Sequence, residues 1–154
     1  GEIGEKINIP LAVGERNNTI WEFREYCTLP GVNFLKPDIG LSGGFTHTKK
    51  IAAVAESFHI KMAPHHFLGP ITTMALTHIA TATPNWDVNE FIVESGTFKE
   101  DIVTNITEVK DGYFIPPEAP GLGIDINVDE MLKNPYDVGA GESSRRPDGG
   151  LTLG

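Results

Sequence analysis

Val32-Asn33-Phe34-Leu35-Lys36-Pro37-Asp38 is a short apolar run closed by a proline and a carboxylate. It has the length of a strand, and Asp38 stands at its C-terminal end. The pattern recurs on either side. Upstream, Ile9–Glu15 (IPLAVGE) is an apolar run ended by a charged residue, which suits a strand buried on both faces; Thr19–Cys27 (TIWEFREYC) follows with Ile20, Phe23 and Cys27 at helical spacing. Downstream, Leu41-Ser42-Gly43-Gly44 makes a flexible loop, and Thr46 is the expected N-cap of a helix over Thr46–Phe58 whose face carries Ile51, Val54, Ala55 and Phe58. His59–His65 (HIKMAPH) is then a predicted strand ending in histidine. Gly69-Pro70 opens a helix across Ile71–Thr81, and Trp86–Val93 (WDVNEFIV) is a predicted strand that carries Glu90. Four strand–loop–helix units in succession imply an α/β fold with a parallel sheet, either doubly wound or a segment of a (β/α) barrel. A complete barrel takes about 250 residues. Four strands by Glu94 amount to half of one, so the expectation is a fragment of a longer chain, beginning at Gly1 in the frayed end of a helix.

After Glu94 the pattern changes. Asp101–Pro116 reads as a β-hairpin turning at Lys110-Asp111-Gly112, because Asp-Gly between β-branched and aromatic residues favours a tight turn. Pro116-Pro117 and Pro120-Gly121-Leu122-Gly123 form a rigid crossing, Val128–Lys133 has room for one or two helical turns, and a loosely held Gly/Ser/Arg-rich tail begins at Gly139. The net charge of −9, with no basic run longer than Lys49-Lys50 or Arg145-Arg146, excludes nucleic acid as a partner. No apolar run approaches the roughly 18 residues of a membrane helix, and no charged-then-apolar signal segment opens the chain. The single cysteine, Cys27, has no intrachain partner and fits a buried apolar position, so a cytoplasmic setting is expected.

Each of the four predicted strands delivers a titratable side chain at or near its C-terminal end: Glu15, Asp38, His65 and Glu90. Their separations are 23 (38−15), 27 (65−38) and 25 (90−65) residues, the spacing that one residue per βα unit produces. In parallel sheets and barrels the active site lies at that end, so the four converge on one mouth. Singly, each has an ordinary reading. Glu15 would pair with Arg16 at the surface, Asp38 would cap a loop, His65 would bond within the core, and Glu90 would face solvent. Four in phase make that joint reading the poorer one.

The segments Pro10-Leu11-Ala12-Val13-Gly14-Glu15-Arg16, Lys36-Pro37-Asp38-Ile39-Gly40 with Gly43-Gly44, Lys50–Glu56, Ala63-Pro64-His65 with Leu68-Gly69-Pro70, and Thr83-Pro84-Asn85 with Asn89-Glu90 resemble, in order and spacing, the last barrel strands of the enolase superfamily. The likeness is to its mandelate racemase-like branch and, within it, to sugar-acid dehydratases. It implies the C-terminal half of a TIM-like (β/α)7β barrel over residues 1–97, and a C-terminal extension over 98–154 that packs back on the barrel and on a capping domain outside this chain. It further implies a homo-oligomer and Mg²⁺ as cofactor. Glu15 would be one of three carboxylates that bind the metal. Asp38 would hydrogen-bond His65, forming the dyad that works on the proton α to the substrate carboxylate, and Glu90 would hold a carboxylate oxygen as charge develops. The one departure is Asn89, where relatives often carry Gln.

That chemistry is coherent in itself. A base removes so weakly acidic a proton only if the resulting enediolate is held by a divalent cation and a hydrogen-bond donor. Histidine backed by a carboxylate is the natural base, and a carboxylic acid kept protonated by its surroundings is a possible donor, the part expected of Glu90. Arg16, Asn17 and Trp21, which follow Glu15 in a βα loop, and His66, beside His65, are candidate substrate contacts, although successive strand residues face opposite ways and His66 reads first as loop structure. His47, His59 and His78 read as structural. The implied reaction is dehydration of an aldonate or aldarate, galactonate-like, to a 2-keto-3-deoxy acid. The alternatives are a racemase or epimerase using the same enediolate, and a barrel homologue that binds without catalysis.

Overall fold

The computed structural model describes residues 1–135. The tail expected from Gly139 lies outside the described residues. Three short strands, β1 (Leu11–Val13), β2 (Val32–Leu35) and β3 (Lys61–Met62), form a parallel sheet in the order of the chain. The helices between and after them are α1 (Ile20–Cys27), α2 (Gly44–Ser57) and α3 (Pro70–Thr81). Leu11 pairs with Val32 and Val13 with Leu35 across a bulge; Phe34 pairs with Lys61 and Leu35 with Met62. The chain belongs to the α/β class the sequence implies, and no described helix is long and apolar enough to cross a membrane.

The apolar spacing decides which faces meet. Phe23 and Cys27 of α1 and Ile51, Ala52 and Ala55 of α2 pack on Val32, Leu35 and Met62 of the sheet, with Ile60 closing the layer. Burying side chains of this size is worth about 1.5–3 kcal/mol each. Burial also pushes the Cys27 thiol above its ordinary range, which leaves it inert. A second cluster, Ile39, Ala75, Leu76 and Ile79, seats α3, with Trp86 and Leu122 against it.

Four expectations are corrected. β1 is not buried on both faces: Ala12 is exposed, because α1 and α2 pack on the face that carries Val13 and successive strand residues face opposite ways. α2 begins at Gly44 rather than after a Thr46 cap; its N-cap is Gly43, whose φ of +87° a residue with a Cβ rarely adopts. His59 is not a strand residue. It stands at φ +58° just past α2, with its N–H on Glu56 O and the Ile60 N–H on Ala55 O, a Schellman ending that here uses histidine where glycine is usual. The fourth strand shrinks to a single parallel bridge, Met62 to Trp86, because its main-chain bonds to β3 end with the Asp87 N–H on Met62 O; beyond it Asn89 meets the Trp86 indole N–H and Glu90 meets Lys36 through side chains.

Beyond Glu94 come a short helix, α4 (Phe98–Asp101), then β4 (Glu108–Lys110), β5 (Tyr113–Ile115) and α5 (Val128–Lys133). The hairpin β4–β5 turns at Asp111-Gly112, both at positive φ as a type I′ turn demands. It starts later than expected: Asp101 is helical, and Val103 instead bridges Ile126. The extension returns to the sheet layer through Leu122, whose carbonyl contacts His78 Nε2 at 3.2 Å, and through Phe114, edge-on to Phe91 at 5.0 Å.

Candidate active site

Beyond its ladder each strand runs on through isolated main-chain bonds, and these set the site. The His65 N–H donates to Pro37 O, so Asp38 and His65 become bridge partners at the C-terminal ends of β2 and β3. Their side chains meet: His65 Nδ1 lies 2.9 Å from Asp38 Oδ2. The Gly40 N–H donates to the other carboxylate oxygen at 2.8 Å, and Asp38 is 1% exposed, so the carboxylate is fixed on both sides. With Asp38 accepting at Nδ1–H, the His65 lone pair is left on Nε2. That nitrogen lies 4.0 Å from Glu90 Oε2. Phe67 stands edge-on to the imidazole at 5.0 Å.

Glu90 arrives from the segment after Trp86. Its Oε2 accepts the His66 N–H at 2.8 Å and its Oε1 lies 3.2 Å from Lys36 Nζ. Partial burial pushes the Glu90 carboxyl upward, but the His66 amide, the Lys36 ammonium and His65 outweigh it and hold the group below the ordinary carboxylate range. In this arrangement Glu90 is an acceptor, for the His66 N–H and for Lys36. Besides the His66 N–H, the donor that meets Glu90 among the described residues is Lys36. Its role was missed, yet a signal was present: Lys36 and Asp38 are two apart on an extended segment and so share a face.

Glu15 follows Gly14, whose φ of +119° turns the chain under the Phe23 ring; a Cβ there would lie 2.3 Å from it. The Glu15 carboxylate is half exposed, and its ion-pair partner among the described residues is Arg16 at 3.9 Å. It is thus a hard oxygen donor with no strong competing partner, which suits a Mg²⁺ ligand. No group of three potential metal-ligating side chains occurs among the described residues.

The loop candidates divide. Arg16 and Trp21 are exposed and make no hydrogen bond to the dyad. Asn17 is engaged by α1: its amide donates to Glu22 Oε1 and its oxygen accepts from the Tyr26 hydroxyl. His66 is 1% exposed, with Nε2 at 2.7 Å from Thr73 Oγ1 inside the fold, so its ring serves structure and only its main-chain N–H faces the site. His47 caps α1 by accepting the Ile20 N–H, as its structural reading foresaw. A cleft of about 550 Å³ between α3 and the hairpin, lined by Trp86, Phe91 and Tyr113, contains none of Asp38, His65 and Glu90. Those three residues lie instead at the C-terminal ends of β2 and β3.

A family model described as enolase C-terminal domain-like matches residues 1–131. Among curated relatives, a D-galactonate dehydratase of Ralstonia pickettii is 37% identical over 81% of this chain and 34% of its own length. A mandelate racemase/muconate lactonizing enzyme from Jannaschia sp. CCS1 superposes with a TM-score of 0.82 at 34% identity, over 88% of this chain and 34% of that one. An enolase from Agrobacterium radiobacter, solved with sodium and L-malate bound, gives a TM-score of 0.85 at 26% identity, over 97% of this chain and 42% of its own. This chain spans about a third of the length of the curated relatives it matches.

Proposed function

The chain belongs to the enolase C-terminal domain-like family, and on that premise we propose that the protein carrying it is a Mg²⁺-dependent dehydratase of sugar acids, acting on a galactonate-like aldonate or aldarate. The observation that carries the reading is the buried Asp38 carboxylate at 2.9 Å from His65 Nδ1, which leaves Nε2 free beside Glu90. Relatives named D-galactonate dehydratase support the substrate class.

In this reading His65 Nε2 takes the proton from C2 of the substrate. Asp38 keeps the imidazole in the tautomer able to do so and stabilises the imidazolium once formed. Glu90 and Lys36 form the polar edge that holds a substrate oxygen, Lys36 as donor and Glu90 as the group that fixes the ammonium. The C3–oxygen bond then breaks and the hydroxyl leaves as water, on a proton supplied by an acid that none of the residues described here provides. Glu15 would be one ligand of the Mg²⁺, which when bound stabilises charge developing on the substrate carboxylate.

The test is a panel of acid sugars offered to the full-length protein in deuterated water. Formation of a 2-keto-3-deoxy acid that carries solvent deuterium at C3 is the expected result. Exchange at C2 with inversion and no loss of water would make the protein a racemase or epimerase, and neither product nor C2 exchange with any acid sugar would refute the reading.

A further inference from the structure

His66 stands beside the proposed base, and what holds it takes no part in the reaction above. Its Nε2 lies 2.7 Å from Thr73 Oγ1 on α3, and that hydroxyl lies 2.6 Å from Glu94 Oε1. Glu94 is 2% exposed, and its second carboxyl oxygen has no hydrogen-bond partner among the described residues. The direction of the chain follows from its donors. The Leu68 N–H approaches His66 Nδ1 at 3.4 Å, so Nδ1 carries the lone pair and Nε2 the proton. Nε2–H therefore donates to Thr73 Oγ1, and the single Thr73 proton goes to the nearer of its two acceptors, Glu94 Oε1 at 2.6 Å rather than Gly69 O at 3.2 Å. Burial pushes His66 below the ordinary imidazole range and Glu94 above the ordinary carboxyl range, and so favours the neutral form of each.

The main chain of the same His66 donates to Glu90 Oε2 at 2.8 Å. We propose that Thr73 and Glu94 are positioning residues for Glu90: by anchoring the His66 ring they hold its amide against the Glu90 carboxylate. This rests on the reading of Glu90 as part of the substrate-facing edge. A buried carboxyl is costly unless it is hydrogen-bonded, and the side-chain partner that Glu94 has among the described residues is Thr73.

Titration of the Glu90 carboxyl in the full-length protein, followed by ¹³C NMR, reads the amide contact directly, since losing a donor raises a carboxylate's pKa. Thr73→Val removes the hydroxyl at nearly constant volume. It is expected to move the Glu90 midpoint up and to lower kcat roughly tenfold with KM within about twofold. Thr73→Ser should restore both. An unmoved Glu90 midpoint in Thr73→Val would overturn the proposal. Should that variant not fold, Glu94→Leu carries the same test: a thermal midpoint no lower than wild type, a raised Glu90 midpoint and a fall in kcat are expected, and wild-type titration would overturn it. Because the titration needs no substrate, a protein that neither dehydrates nor exchanges any acid sugar would sink the functional reading while the Glu90 midpoint still decides this one.

Discussion

His65→Asn in the full-length protein is expected to abolish exchange of the substrate's C2 proton with solvent deuterium and to leave Mg²⁺ affinity nearly intact, because His65 supplies the free nitrogen and Glu15 the metal ligand. Asp38→Asn keeps the imidazole but loses the carboxylate that fixes its tautomer. Its effect should be smaller than that of His65→Asn yet still large, up to roughly 10³–10⁴-fold in kcat by analogy with other carboxylate–histidine pairs. Exchange at the wild-type rate in His65→Asn would assign the proton to another group. Glu90 gives a second residue-level prediction. Its depressed pKa means that the stability it contributes is present above the unfolded value and lost as pH falls through the folded one, and Lys36→Met should move its titration upward. Asp38, His65 and Glu90 were legible in the sequence because one residue per βα unit leaves a periodic trace. The charge state of Glu90 was not, since Lys36 reaches it from 54 residues away. Nor was the engagement of Asn17, which depends on a side chain of α1.

The start of α1 is built from a reciprocal box: the Glu22 N–H donates to Thr19 Oγ1, while the Glu22 carboxylate accepts from Thr19 and from the Asn17 amide. The Thr19 hydroxyl, then the Asn17 amide and the nearby backbone N–H groups, lower the Glu22 carboxyl to about 2. Thr19→Ala should therefore cost about 1 kcal/mol in denaturant unfolding. The contribution of Glu22 should hold in full above its ordinary value of 4.5 and fade as pH drops from there toward 2, which acid titration of helix content would show. Gly14→Ala faces two penalties at once, a left-handed φ and a methyl inside the Phe23 ring, and should lower the thermal midpoint measurably. Helix spans read well from periodicity. Their ends read less well: His59 occupies a place where glycine is the usual signal, and Gly43 caps α2 without a side chain. The segment from Trp86 to Val93 carries strand-forming residues, but its main-chain pairing with β3 ends at Asp87, a tertiary outcome that local propensity does not carry.

Across the whole molecule, Leu122 ties the extension to the cluster under α3. Leu122→Ala is expected to cost about 2 kcal/mol, at the low end for such a truncation because the side chain is only partly buried. A single unfolding transition that shifts as a whole would show that the extension and the sheet layer melt together; an early separate transition would show two units. The sequential order of the sheet sets a timetable as well. β2 follows β1 and β3 follows β2 in both chain and space, so the pairing Asp38 to His65 closes a loop of 27 residues (65−38). Relative to a ten-residue loop this costs only about 0.9 kcal/mol more entropy. The Asp38–His65 contact can form as soon as β3 docks, before Glu90 and its extension have been recruited, so during refolding a histidine signal should reach its native value ahead of the Glu90 carboxylate.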